Sequence, residues 1–262
     1  MLSLLLKYGK KILTLLLMAF ILTTGNANAQ EPEVIRLPFI KPPVIEQTLP
    51  TWATRSCDVI IRVGEYDGKP GKRIYVDEGI NWKDIPNDIP IHKDNKGYYI
   101  GEFDINKKVA EKLVNELRAK GVNAQIQLAN GRKEDLNTAG RISNKSNPKL
   151  YISVHHNSYQ SDSSGYFTMC NENNIKAFTV ANRLNNCLKD NGLVPQRAVR
   201  YNDGYIGELN VIHDSTIGVL LELGYYSNLE ELKIICSDEY TDYVSSHLST
   251  EIQNILNDYW GS

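Results

Sequence analysis

The chain has 262 residues, a formal net charge of −2 and 42% hydrophobic residues. Its first 29 residues hold three lysines and no acid, so the rest has 26 basic and 31 acidic residues, a net charge of −5. This balance argues against a nucleic-acid-binding surface, which would need an excess of basic residues.

The N-terminus has the pattern of an export signal. The three lysines precede an almost wholly apolar run over residues 12–22, and residues 27–29 read Ala-Asn-Ala, which suits signal peptidase. The apolar run is short for a membrane span, which needs about 20 residues. We therefore expect a signal peptide over residues 1–29 and an exported protein, periplasmic or secreted to the cell wall; an uncleaved N-terminal anchor is the alternative.

Prolines divide the remaining chain into two parts. Residues 30–56 contain five of the ten prolines, which predicts an extended linker or arm. Residues 57–262 contain no internal repeat, and their number suits one domain with a full hydrophobic core.

The predicted elements of this domain alternate between strands and helices. The first strand covers residues 58–63, and a polar, Gly- and Pro-rich segment runs from 65 to 101. An apolar stripe over 109–117 predicts an amphipathic helix, with Asp104 as N-cap and Gly121 as a left-handed C-cap. Further strands are expected at 124–128, 150–154, 166–170, 198–201 and 217–223, and helices at 135–144, 175–189 and 238–259. This order predicts an α/β fold, a single domain with a largely parallel twisted sheet and helices on both faces.

The four cysteines all lie in the predicted domain, at Cys57, Cys170, Cys187 and Cys236. In an oxidising compartment they could form two disulfides in any of three pairings. They lack the close Cys-x-x-Cys spacing of a zinc ribbon, so a thiolate metal site is not expected.

Ionisable residues follow three of the predicted strands. His155 ends the run at 150–154, Glu65 follows the first strand, and Glu222 follows three aliphatic residues. Ligands gather at the carboxyl ends of parallel strands, and imidazole is the commonest metal ligand. Poor solvation should raise the pKa of Glu222, which suits a general base. A simpler interpretation of His155 is a hydrogen-bonded histidine at a strand end, and a simpler interpretation of Glu222 is an acid that faces water.

Three segments together resemble the zinc-dependent N-acetylmuramoyl-L-alanine amidases of the amidase type 3 family. Residues 153–157 (Ser-Val-His-His-Asn) are similar to the family's Ser-Ile-His-x-Asn, and residues 102–106 (Glu-Phe-Asp-Ile-Asn) to its Glu-x-x-x-Asn. Residues 222–228 (Glu-Leu-Gly-Tyr-Tyr-Ser-Asn) are similar to Glu-x-Gly-Phe-Leu-Ser-Asn, and Arg141 matches a recurrent arginine. The resemblance covers roughly residues 57–257.

The resemblance implies a role for each matching residue. Glu102 and His155 would bind Zn²⁺, and Glu222 would be the catalytic base. Asn106 and Asn157 would orient ligands or substrate, and Arg141 would act in the same supporting shell.

One position departs from the family pattern. The family places a zinc-binding histidine after the first strand, whereas this chain has Glu65 there. A carboxylate can bind Zn²⁺ at nearly the same distance, so a site of Glu65, Glu102 and His155 is chemically reasonable. One alternative is that metal binding is lost. Another is that His156 or His213 substitutes as a ligand, although a supporting or structural role is favoured for both.

The expected function is hydrolysis of the amide bond between N-acetylmuramic acid and L-alanine in peptidoglycan by zinc-activated water. We expect a monomer that binds peptidoglycan, binds no nucleic acid and has no transmembrane segment after signal cleavage. Two alternatives stay open: an impaired domain that only binds peptidoglycan or a partner, and an exported metallohydrolase that acts on another amide.

Overall fold

The computed structural model describes residues 56–65, 73–75, 85–128, 136–171, 175–190, 192–204 and 206–261. All of them belong to one compact unit, Gln47–Ser262. The predicted signal peptide and all but the last residue of the predicted linker lie outside the described residues, so both stay predictions.

A six-stranded sheet forms the centre of the fold. In chain order the nine described strands are β1 Val59–Val63, β2 Arg73–Tyr75, β3 His92–Lys93, β4 Tyr98–Gly101, β5 Ala124–Gln127, β6 Leu150–Asn157, β7 Phe167–Asn171, β8 Arg200–Asn202 and β9 Ile217–Tyr225. The order across the large sheet is β5-β1-β6-β9-β7-β8. Its first four strands are parallel, and β7 runs antiparallel to β9. The predicted largely parallel sheet is confirmed.

Helices cover both faces of this sheet, as predicted. They are α1 Glu102–Ala119, α2 Leu136–Asn144, α3 Ile175–Cys187, α4 Gly207–Val211, α5 Leu229–Cys236 and α6 Asp238–Trp260. Side chains of α1, α3, α5 and α6 form the larger core with one face of the strands, and α4 helps to form a smaller core on the other. Successive strand residues alternate between the two cores, because side chains along a strand point to opposite faces. None of the described helices combines the length and apolar character needed to cross a bilayer.

Helix α1 begins earlier than the sequence predicts. Its N-cap is Gly101, and Asp104, the predicted N-cap, is the third helical residue. The Asp104 carboxylate accepts a hydrogen bond from the Gly101 N–H at 3.4 Å and contacts His92 Nε2 at 2.7 Å. Gly121 has φ +81° after the C-cap, which confirms the predicted left-handed end. The earlier start puts Glu102 in the first turn of α1.

Three parts of the described fold were not predicted: a small sheet and the short helices α4 and α5. The polar segment before α1 contains a three-stranded antiparallel sheet in the order β2-β4-β3. Its strands have two to four residues each, too few for a recognisable alternation. Helix α5 also precedes the predicted closing helix, and the Asn228 side chain caps it by accepting hydrogen bonds from the Glu230 and Glu231 N–H groups.

The structure contains neither of the two disulfides that the cysteines could form: all four are free. Cys57 lies in the smaller core, whereas Cys170 and Cys236 lie in the larger core across the sheet and Cys187 packs against it. Burial raises the pKa of the Cys57 and Cys170 thiols to about 11 and those of Cys187 and Cys236 to about 12. The cysteines therefore act as small apolar side chains.

Candidate metal and catalytic site

The three predicted metal ligands, which we call the triad, meet at the carboxyl ends of the strands of the large sheet. Glu65 follows β1, Glu102 begins α1 and His155 lies near the end of β6; one ligand atom from each lies within 4.8 Å of the other two. Strands β1 and β6 are parallel neighbours, and the Gly64 N–H bonds to the Val154 carbonyl at 2.8 Å. Their carboxyl ends therefore bring Glu65 and His155 together.

The backbone at the end of β1 is shaped by His155. A Cβ at Gly64 would lie 2.5 Å from the His155 ring, so only glycine allows the ring to pack there. Glu65 then adopts φ +57°, a left-handed conformation that non-glycine residues rarely take. Such strain persists where the surrounding structure requires it, as at a binding site.

His155 lies between two carboxylates. Its Nδ1 is 3.1 Å from Glu102 Oε1, and its Nε2 is 3.6 Å from Glu208 Oε1. Burial would lower the pKa of His155, but its contacts with the two carboxylates outweigh burial and raise the pKa to about 10. The two carboxylates thus favour a positive charge at the position of His155.

Asn106 supports Glu102 from one turn along α1. Its amide donates to Glu102 Oε1 at 3.1 Å and to the Gly64 carbonyl at 3.2 Å. Its Oδ1 contacts His156 Nδ1 at 2.8 Å. Burial and the charge of His155 lower the pKa of His156 to about 3, so His156 is a neutral donor to Asn106. His156 is therefore a supporting residue, outside the group of potential ligands among the described residues.

Glu222 lies beside His155 on the neighbouring strand. The two residues are register partners of β6 and β9. Glu222 is half-buried, and its Oε2 is buried without a hydrogen-bond partner among the described residues. Burial raises the pKa of Glu222 to about 8, against the lowering effect of the His155 charge. These are the surroundings that the sequence predicts for a general base.

The sequence analysis missed Glu208 and its partner Arg62. Glu208 is fully buried in α4, with its Oε2 3.2 Å from Arg62 Nε and 3.1 Å from the Tyr151 hydroxyl. Burial alone would raise the pKa of Glu208, but the Arg62 charge and the contact with His155 lower it to about 2. An arginine inside the aliphatic strand β1 was the available signal, because a buried charge needs an opposite partner.

The other residues named from the sequence lie around this cluster or away from it. The Asn157 side chain accepts a hydrogen bond from the next backbone N–H at 2.6 Å, so its recorded contact supports the end of β6. Arg141 and His213 are exposed, and the structure records no contact of either side chain with the triad within its described residues.

The triad fits a divalent cation. Zn²⁺ accepts imidazole nitrogen and carboxylate oxygen at 2.0–2.2 Å, which puts tetrahedral ligand atoms about 3.4 Å apart. The ligand atoms of Glu65, Glu102 and His155 are already gathered within 4.8 Å. A bound cation would also balance Glu102, whose recorded partners in the described part of the chain are amide groups and the His155 ring.

Comparisons with solved structures find proteins of the same fold. Structures of similar fold include an N-acetylmuramoyl-L-alanine amidase from Clostridium difficile 630 (18% identity, TM-score 0.58, 79% of this chain and 100% of that chain). They also include the catalytic domain of the amidase CwlV from Bacillus (Paenibacillus) polymyxa var. colistinus (19% identity, TM-score 0.59, 77% of this chain and 98% of that chain). A third is the CwlD amidase from Clostridioides difficile, solved in complex with the GerS lipoprotein (20% identity, TM-score 0.59, 78% of this chain and 100% of that chain).

These identities establish a shared fold, and the family follows from the sequence itself. A search of curated proteins finds no match. The model of the family described as Amidase_3, N-acetylmuramoyl-L-alanine amidase, matches residues 87–254, more than half of the chain. The matched range contains Glu102, His155 and Glu222 and leaves Glu65 outside it. The chain therefore belongs to the amidase type 3 family of N-acetylmuramoyl-L-alanine amidases.

Proposed function

We propose that this protein is an exported peptidoglycan hydrolase that cleaves the amide bond between N-acetylmuramic acid and L-alanine of the stem peptide. A zinc ion held by Glu65, Glu102 and His155 would serve the reaction, with Glu222 as the base. The observation that carries the proposal is the meeting of the three ligand atoms beside Glu222, at the carboxyl edge of the sheet. Family membership supports the choice of amide.

The chain's own residues suggest how the reaction proceeds. When bound, zinc supplies a Lewis acid that acidifies water and stabilises negative charge on the carbonyl oxygen. Glu222, with an unbonded buried oxygen, takes a proton from the attacking water. It then returns that proton to the nitrogen of L-alanine as the amide bond breaks. Asn106 keeps Glu102 in place through its hydrogen bond to Oε1.

Export and partners are part of the proposal. The basic and apolar N-terminus with Ala-Asn-Ala at 27–29 supports a cleaved signal peptide, which would deliver residues 30–262 to the cell wall as a monomer. The acidic balance of that part supports peptidoglycan rather than nucleic acid as the polymer it binds.

Glu65 favours a second candidate, a domain that binds peptidoglycan with little or no hydrolysis. With two carboxylate ligands the cation would acidify water less than with one, because the ligands reduce its effective charge. Carboxylate ligands also shift preference toward harder ions such as Mn²⁺. The left-handed backbone at Glu65, which carries a conformational cost, supports a binding role for this member of the triad.

Digestion of purified sacculi distinguishes the candidates. The mature protein, residues 30–262, is incubated with sacculi and zinc, and released material is analysed by mass spectrometry. We expect stem peptides with a free L-alanine amino group, and none with the Glu222→Gln variant. Protein that binds sacculi without releasing peptides would support the binding domain, and cleavage at another bond would overturn the amide assignment.

A further inference from the structure

We propose that Glu208 is a positioning residue that holds the His155 ring so that Nδ1, and not Nε2, faces the metal. Glu208 would do this by accepting a hydrogen bond from the Nε2–H. The proposal rests on the proposed metal site and adds a residue that lies outside the three sequence motifs.

The two ring nitrogens of His155 face different carboxylates. Nδ1 lies 3.1 Å from Glu102 Oε1, and Glu102 is a member of the triad. Nε2 lies 3.6 Å from Glu208 Oε1, on the other side of the ring. A histidine that binds metal through one nitrogen almost always donates its other N–H to a carboxylate, carbonyl or water. Glu208 occupies the place of that acceptor.

The two facing atoms are buried, and the Ser153 side chain is a further neighbour of the Glu208 carboxylate. His155 Nε2 and Glu208 Oε1 are both buried and lack a hydrogen-bond partner among the described residues. Their separation is slightly longer than a hydrogen bond, and a small rotation of either side chain would close it. Because an unpaired buried polar atom is costly, closing this gap is favourable for both groups.

Glu208 itself is held firmly. Its other oxygen, Oε2, contacts Arg62 Nε at 3.2 Å and the Tyr151 hydroxyl at 3.1 Å. Tyr151 and His155 lie four residues apart on β6 and therefore face the same side of the sheet, where α4 packs. Helix α4 also packs closely against α2. A Cβ at Gly140 of α2 would lie only 2.7 Å from the Glu208 carbonyl oxygen.

Arg62 explains why Glu208 supports the metal ligand without adding to the charge of the metal site. The guanidinium and the carboxylate are both buried and form an ion pair. The pair is close to neutral, so the donor set of the metal stays Glu65, Glu102 and His155. The chain Arg62–Glu208–His155 thus extends from the smaller core to the triad of potential metal ligands.

A comparison of zinc affinities tests this role. The mature chain, the double variant Arg62→Met/Glu208→Met and the control variant Ile212→Ala are titrated with zinc against a competing chelator. The double variant removes both buried charges and the acceptor that faces Nε2, and Ile212→Ala weakens the same small core without touching that acceptor. We expect about 10- to 100-fold weaker binding in the double variant, with less than threefold change in the control.

The outcomes separate this proposal from the metal site itself. Equal affinity of the double variant and the parent chain, with binding lost in Glu102→Ala, would overturn the role of Glu208 and leave the metal site standing. A parent chain that does not bind zinc would overturn both.

Nitrogen-15 NMR of the zinc-loaded parent chain tests the ring orientation without any variant. We expect the zinc-shifted nitrogen of His155 to be Nδ1, with a proton on Nε2 that exchanges slowly with solvent. Coordination through Nε2 would overturn the proposal, whatever the behaviour of the double variant.

Discussion

The two carboxylates that face His155 differ in what balances their charge. Glu208, on the Nε2 side, is fully buried with Arg62 as its partner. Glu102, on the Nδ1 side, is bonded to the Asn106 amide, a backbone N–H and the His155 ring. Both are buried acids close to the same histidine, yet a fixed cation is recorded beside only one of them within the described residues.

This difference separates structural support from a binding site. When a buried carboxylate is paired with an arginine, its charge is already neutralised, so it can hold a neighbouring side chain in place. A buried acid whose partners are amides and a titratable ring still gains from an added cation. The Nδ1 side is therefore where the metal is expected, and the Nε2 side is its support.

The largest expected effect is on chemistry at Glu222. Glu222→Gln keeps the shape of the side chain but removes the base, so the rate of amide cleavage in sacculi should fall about 10²–10⁴-fold. Zinc affinity should stay close to that of the parent chain, because Glu222 is not in the triad. Retained turnover would mean that another group is the base.

The next largest effect is on stability, when the Arg62 partner of Glu208 is removed. Arg62→Met leaves Glu208 buried without its guanidinium partner, which should lower the free energy of unfolding by about 3–5 kcal/mol. Urea unfolding of the metal-free protein measures the change. The double variant Arg62→Met/Glu208→Gln should recover most of this loss; equal destabilisation of the single and double variants would contradict the charge-balance explanation.

A third effect loosens the Nδ1 side. Asn106→Ala removes the amide that holds Glu102 Oε1 and the Gly64 carbonyl, so zinc affinity should fall about 10- to 100-fold. Isothermal titration calorimetry measures this. Asn182→Ala is the matched control, because the Asn182 amide donates to the Phe178 carbonyl within α3. A similar loss in both variants would argue against a specific role for Asn106.

The smallest expected effect concerns the departure from the family pattern. Glu65→His replaces one of two anionic ligands with a neutral one, at a left-handed position that histidine tolerates better than most residues. Zinc affinity and peptide release should rise together, by about tenfold or 1.4 kcal/mol. Unchanged affinity would indicate that Glu65 supports zinc as well as histidine does.

Sequence patterns predicted the candidate site residues that follow strands or begin a helix. His155 and Glu222 each follow buried aliphatic residues, and parallel pairing of their strands brings them together. Glu102 was placed by its motif alone, because the residues of the first turn of α1 lie outside the predicted apolar stripe.

The remaining parts depend on contacts that no local pattern records. Glu208 lies in a five-residue helix, too short for a periodic signal, and reaches His155 through the packing of α4 on the sheet. The cysteines were open to pairing because the sequence does not show which face of the sheet each one occupies. Cys57 on one face and Cys170 on the other are separated by the sheet itself.

Metal analysis of the purified mature protein tests the central claim most directly. After dialysis against micromolar zinc, the parent chain should retain one zinc ion per molecule, and Glu102→Ala should retain almost none. A parent chain without stoichiometric zinc, or a Glu102→Ala variant that binds zinc as well as the parent, would contradict the account.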